Sequence, residues 1–87
     1  MNLYIFSYRG SYFVGGLVVA AKSFNEVKKV FVKSCEGDKI DVEIANNKHF
    51  YVDDKDINID EYFVLEEEIK NVPIIEERVL LNSYDCR

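Results

Sequence analysis

The spacing of apolar residues predicts several strands and one helix. Asn2–Tyr8 alternates in steps of two, which is the period of a strand with one covered side. Phe13–Ala21 is apolar at odd and even positions alike, which is typical of a strand inside a sheet. Turn residues 9–11 separate the two strands, so we expect an antiparallel hairpin. Gly15 and Gly16 interrupt the second strand and predict a bulge or a close approach of the backbone.

The segment after this hairpin predicts the helix. Ser23 and Glu26 have the spacing of a capping box, in which the serine hydroxyl accepts the amide of Glu26. We therefore expect the helix to begin at Phe24, and Gly37 predicts its end. Residues at helical spacing predict one buried stripe, formed by Phe24, Val27, Val30, Phe31, Ser34 and Cys35. The lysines of the solvent side are Lys28, Lys29 and Lys33.

Further apolar segments follow the helix. Lys39–Ala45 alternates with acidic residues and predicts a half-buried strand, and His49–Val52 predicts the strand that returns beside it. Tyr62–Ile69 suits a strand or a short helix, and its β-formers favour the strand. Pro73 breaks the pattern, and Ile74–Asn82 predicts a last strand before a short tail. The expected anchors of that strand are Ile75, Val79 and Leu81.

The order of these elements predicts an α+β fold in a single domain, residues 1–87. We expect a mostly antiparallel sheet of five or six strands, with one helix packed on one face, in the order ββαββ(β)β. One helix covers only part of such a sheet, so the uncovered apolar area predicts a curled sheet, a dimer or a surface for a partner. The aromatic side of the first strand is either core beneath the helix or a platform for stacked bases, and the acidic composition favours core. Its residues are Tyr4, Phe6 and Tyr8.

Charge is unevenly distributed along the chain, whose formal net charge is −5. Residues 1–35 carry five basic residues against one acidic residue, and residues 36–87 carry six against fifteen. This asymmetry predicts a dipolar surface and a partner protein with a basic surface. An acidic chain is a poor ligand for phosphates, so we expect no direct contact with nucleic acid. The expected partner-binding residues are Asp53, Asp54, Asp56, Asp60, Glu61, Glu66, Glu67, Glu68, Glu76 and Glu77.

No catalytic or metal motif stands in the sequence, so we expect no enzyme activity, no cofactor and no metal site. His49 is the only histidine, and Cys35 and Cys86 form no Cys-x-x-Cys pair, which favours two free thiols over a zinc site or a disulfide. One register has calcium-loop spacing, but Glu61 stands where the loop needs glycine, which favours a solvated acidic turn. The residues of that register are Asp56, Asn58, Asp60 and Glu67.

No apolar run is long enough to span a membrane, and no signal peptide is evident. The run SYFVGGLVVAAKSFNEVKKVF, residues 11–31, resembles small proteins of phages and mobile elements, which open with two strands and a capped helix. The ending Arg78–Cys86, RVLLNSYDC, is similar to the strand that closes such chains. The resemblance includes anti-CRISPR inhibitors and implies binding, in the cytoplasm of a host cell, as the activity. It assigns a role to no individual residue.

Three functions remain open from the sequence. The first is inhibition of a host nucleic-acid-binding protein, whose cationic channel the acidic surface would occupy. The second is self-association as a structural module, with a homodimer as the simplest form. The third is a nucleotide site at an oligomer interface, lined by Tyr4, Tyr8, Tyr12, Lys28, Lys29 and Lys33.

Overall fold

The computed structural model describes residues 1–9, 13–35, 41–46, 49–53 and 62–86. Its helix is α1 (Phe24–Ser34). Its strands are β1 (Asn2–Arg9), β2 (Phe13–Ala21), β3 (Asp41–Asn46), β4 (His49–Asp53), β5 (Tyr62–Ile69) and β6 (Arg78–Cys86).

The strands form one antiparallel sheet in the order β3-β4-β5-β1-β2-β6. The predicted α+β class, with an antiparallel sheet and a helix, is confirmed. The helix contacts β2, β6 and β3. Because β3 and β6 are the two ends of the sheet order, the sheet must curl around the helix to bring both within its reach. The predicted hairpin of the first two strands is confirmed as the β1–β2 pair.

Aromatic side chains fill the space between the helix and the concave side of the sheet. Tyr4, Phe6 and Tyr8 are buried there, so the interpretation of this side of β1 as core is confirmed. The ring of Phe24, at the start of the helix, lies 5.9 Å from that of Tyr4 and 6.1 Å from that of Phe6, centroid to centroid. Phe63 of β5 contacts Tyr8 edge to face at 4.8 Å. Ring pairs in these orientations stabilise the fold by more than the burial of their apolar area alone.

The helix begins at Phe24 as predicted, but the predicted capping box is wrong. The Ser23 side chain makes no capping hydrogen bond, and the amide of Glu26 donates instead to the backbone carbonyl of Ser23, at 3.1 Å. The Glu26 carboxylate lies 3.9 Å from the ammonium group of Lys29, one turn along the helix. A single turn of backbone hydrogen bonding therefore replaces the reciprocal side-chain cap at this end.

The buried stripe of the helix is shorter than predicted. Val27, Val30 and Phe31 are buried, and Phe24 and Cys35 pack against the core from its margin. Ser34 is exposed, and its hydroxyl donates to the carbonyl of Phe31 at 2.6 Å, a common way for serine to turn back on a helix. Cys35 is a free thiol, so the disulfide considered above does not form. Gly37 lies outside the described residues.

The glycines of β2 mark a close approach of two strands, while the bulges lie elsewhere. Gly15 and Gly16 pair in regular register with Tyr8 and Ser7, so the bulge predicted at these positions is wrong. A Cβ added at Gly16 would stand 3.2 Å from the carbonyl oxygen of Phe6, and glycine removes that contact. The register shifts fall instead beside Phe6 in the β1–β5 pair and beside Val18 in the β2–β6 pair.

The predicted limits of the last strand are wrong. β6 runs from Arg78 to Cys86, so it begins four residues later than predicted and includes most of the expected tail. Ile75 was expected to anchor this strand, yet its side chain is 99% exposed and precedes it. Two apolar residues after Pro73 resemble a strand start, but they lie on the connection between β5 and β6. Strand Tyr62–Ile69 is confirmed.

Leu17 of β2 is fully inaccessible within the core, which predicts a large cost of truncation. We expect Leu17→Ala to lower the free energy of unfolding by about 2–5 kcal/mol, since it removes buried methyl groups and leaves a cavity. Ile75→Ala is the control, and it should change stability by less than about 0.5 kcal/mol because Ile75 is 99% exposed. Urea unfolding followed by circular dichroism measures both. Equal effects would contradict the assignment of the core.

Candidate interaction surface

The convex side of the sheet carries apolar residues that the helix does not cover. We call the side of β5, β1, β2 and β6 that points away from the core the open face. Strand pairing places Ile5, Val18 and Leu81 in one row across it, and Leu3 and Ile69 in the next. Leu81 is 53% exposed and Ile69 is 39% exposed, and the others are half-buried. These side chains form an apolar surface of the kind that protein partners cover.

Two carboxylates border this apolar surface along β5. Glu67 pairs with Ile5 and so lies on the open face, and the hydroxyl of Ser7 on β1 donates to the carboxylate of Glu66. Both glutamates are exposed. The register shift beside Ile5 and Phe6 allows this arrangement, because it gives β5 one extra residue at this point. The bulge therefore puts two adjacent acidic residues on the same side of the sheet.

The remaining predicted partner-binding residues are dispersed. Glu68 pairs with Tyr4 and lies on the side of the core, while Glu76 and Glu77 belong to the connection between β5 and β6. Asp53 is the last residue of β4, and the structure describes its backbone but not its side chain. The calcium-spaced register considered above cannot be placed either, because it falls mainly in the same undescribed segment. The partner-binding residues outside the described ranges are Asp54, Asp56, Asp60 and Glu61.

Acidic and basic residues share the clefts at the end of the sheet where β1 begins. A cleft of about 660 Å³ lies at the start of the helix, and one of about 450 Å³ lies between the helix and β6. The charged residues of the first are Lys22, Glu68 and Lys70, and those of the second are Glu26, Lys29, Lys33, Glu76, Glu77 and Arg78. In these clefts the described carboxylates lie among cations, whereas Glu66 and Glu67 border the open face along β5.

The connection between β5 and β6 is fixed at both ends. The amide of Val72 donates to the carbonyl of Met1 at 2.8 Å, and the amide of Asn71 donates to the Asn2 side chain at 3.3 Å. At the other end, the amide of Lys22 donates to the Glu77 carboxylate at 3.0 Å. The backbone of Asn71 is left-handed, with φ of 58°, which asparagine tolerates better than most residues do.

Between these anchors the connection presents Ile75, whose side chain is 99% exposed. An isoleucine fixed in water on a tethered loop can enter a partner's apolar pocket at little further cost in loop entropy. Sequence reasoning missed this exposure, because the alternation of apolar residues does not distinguish a strand anchor from a side chain that points into water. The pair Glu76-Glu77 directly after it was the available signal, since it interrupts the apolar period.

Tyr4 closes the floor of the larger cleft. Its hydroxyl accepts a hydrogen bond from the Asn2 amide at 3.3 Å, and its side chain is 2% exposed. Burial raises the pKa of Tyr4 above its ordinary value; the hydrogen bond from Asn2 opposes this, and the nearby charge of Glu68 adds to it. Tyr4 and Tyr8 are both buried, so neither ring is available to stack on a nucleotide, while Tyr12 lies outside the described residues.

Within the ranges that the structure describes, no three His, Cys, Asp or Glu side chains are close enough to hold a metal ion together. The described part of the chain likewise contains no helix with the length and apolarity to cross a bilayer. No family model, curated protein or solved structure matches the chain.

The raised pKa of Tyr4 predicts how stability depends on alkaline pH. The folded state holds the phenol neutral, while the unfolded chain ionises it near pH 10, so this stabilisation is complete below pH 10 and is lost as pH rises towards the folded pKa. Compared with Tyr4→Phe, the wild-type protein should lose up to about 1.4 kcal/mol more per pH unit in that range. Urea unfolding of wild type and of Tyr4→Phe between pH 9 and pH 11 measures the difference. Parallel curves for the two proteins would contradict this origin of the shift.

Proposed function

We propose that this chain is a small non-enzymatic protein that binds a partner protein through its open face. The observation that carries the proposal is the row Ile5, Val18 and Leu81, bordered by the exposed carboxylates of Glu66 and Glu67. Such a surface has the composition of a binding site, with an apolar centre and a charged rim. The centre contributes affinity when water leaves it, and the rim accelerates association with an oppositely charged partner.

The chemistry of the open face defines the partner that fits it. The partner would present an apolar ridge flanked by lysine or arginine, so that its cations meet Glu66 and Glu67 while its apolar side chains cover Leu81 and Ile69. Nucleic-acid-binding proteins commonly carry such basic surfaces. In this proposal the chain is an inhibitor from a phage or mobile element, which acts in the cytoplasm of the host. It occupies a site that would otherwise bind DNA or RNA, in line with the resemblance to anti-CRISPR proteins.

The proposed role of the carboxylates is specific to two positions. We expect the double variant Glu66→Lys/Glu67→Lys to lose the captured partner and to associate with it at least about tenfold more slowly at low salt, since both charges on the rim are reversed. The matched control is Glu26→Lys/Glu68→Lys, which changes the net charge equally but lies on the helix and on the core side of β5. Affinity capture from host lysate with quantitative mass spectrometry identifies proteins that distinguish the two variants. Association rates of the recovered protein are then measured against ionic strength.

Three outcomes would count against this assignment. The first is that both variants retain the same proteins as wild type, the second is that the control loses as much as the double variant, and the third is that the association rate does not change with salt. The first two would show that position on the open face has no influence, and the third would show that the rim does not steer the encounter.

Ile75 provides a test of the apolar part of the interface. We expect Ile75→Asp to leave the free energy of unfolding within about 0.5 kcal/mol of wild type, because the side chain is already in water. Binding to the captured partner should weaken by about tenfold or more, as it does for an anchor that fills a pocket. Val32→Asp on the helix, where Val32 is 41% exposed, is the control for an added charge. Equal affinities of the two variants would remove Ile75 from the interface.

A further inference from the structure

β6 lies at one end of the sheet order and pairs with β2 on one side. No other described strand pairs with its outer side. A strand in that position presents a row of backbone N–H and C=O groups to its surroundings, which is a template for another strand. β6 is nine residues long, against a usual strand length of about five or six, so the template is extensive.

Apart from the register shift beside Leu80, β6 carries few features that protect an edge. Residues 79–84, VLLNSY, contain neither a charged residue nor proline, which are the usual means of preventing edge pairing. Leu80 and Leu81 stand near the middle of the strand and are 39% and 53% exposed. The opposite edge, β3, has six residues and includes Asp41 and Glu43, so two copies of it would repel each other.

We propose that the outer edge of β6 binds the β6 edge of a second copy of this chain, in antiparallel orientation. In this antiparallel arrangement the charges of the two β6 strands are complementary. Arg78 stands near one end and Asp85 near the other, so each basic end lies beside the acidic end of the other copy. The net charge of β6 is zero while that of the chain is −5, and this strand therefore allows two acidic molecules to approach.

The proposed dimer has a two-fold axis perpendicular to the sheet, near Asn82 at the midpoint of Arg78–Cys86. Backbone hydrogen bonds across the axis join the two sheets into one. With the axis at Asn82, Leu80 lies opposite Tyr84 of the other copy and Leu81 lies opposite Ser83, so both leucines border the seam. The open face points to the same side in both copies, and of its apolar row Leu81 borders the seam while Ile5 and Val18 lie away from it on β1 and β2, so a partner can still reach most of that face.

A cysteine at the axis tests the geometry. Opposed residues of antiparallel strands have Cα atoms about 4.5–5.5 Å apart, which is within the range that a disulfide spans. We expect Asn82→Cys, in a Cys35→Ser/Cys86→Ser background, to form a disulfide-linked dimer when its two thiols are oxidised with diamide. Val32→Cys in the same background is the control, since it is an exposed position on the helix away from β6, and it should stay largely unlinked.

Sedimentation equilibrium provides the second measurement. Wild type should have twice the 10.2 kDa mass of the chain, and Asn82→Lys should weaken self-association by about tenfold or more, because the two lysines then face each other across the axis. A wild-type mass of 10.2 kDa at millimolar concentration would overturn the proposal. A dimeric mass without the Asn82→Cys disulfide would overturn the assignment of the seam to β6. A folded Val32→Lys variant that dissociates as much as the β6 variant would overturn it too. Circular dichroism confirms that each variant compared is folded.

Discussion

The structure depends on the burial of aromatic rings between one short helix and a curled sheet. Phe24 at the start of the helix packs on Tyr4 and Phe6, and Phe31 near its end lies 6.3 Å from the ring of Phe63. The helix has eleven residues, too few to be stable alone in water, so this packing is what keeps it helical. The sheet in turn must curl, because the rings can be covered from one side only if β3 and β6 both approach the helix.

The curl divides the molecule into two surfaces with different chemistry. The concave side takes the large aromatic residues, and the convex side keeps smaller branched ones such as Ile5, Val18 and Leu81. The bulge in β5 then moves Glu66 and Glu67 to the convex side, while Glu68 stays with Tyr4. A one-residue irregularity thus decides which glutamates border the apolar surface and which add to the electrostatic environment of the core tyrosine.

Much of the local structure could be predicted from the sequence, because periodicity reports which side of an element is buried. Three of the predicted patterns correspond to observed elements. They are the two-residue period of β1, the apolar residues on both sides of β2, and the helical stripe of Val27, Val30 and Phe31. The errors occur where the outcome depends on contacts distant in sequence. The apolar pair at Ile75 resembles a strand, but the hydrogen bonds from Val72 and to Glu77 fix that segment as a connection. The bulges cannot be predicted from the local sequence either, since each arises from the register between two strands.

The candidate surface was accessible to sequence reasoning only in outline. Counting charges emphasises carboxylates, but it cannot divide Glu66 and Glu67 from Glu68, because that division follows from the register shift. The acidic segment that held four of the ten expected residues lies outside the described ranges. What the sheet adds is the apolar row beside the remaining charges, and that row is formed by strands far apart in the chain.

The pairing of β2 with β6 has a consequence for biosynthesis. Phe13 pairs with Cys86, seventy-three positions later, while β1 and the helix are available almost at once. During translation the apolar outer edge of β2 therefore stays without its neighbour until nearly all of the described chain has left the ribosome. An unsatisfied edge of this kind is a place where nascent chains associate wrongly. The time that β6 takes to emerge therefore sets how long this edge is exposed to wrong association.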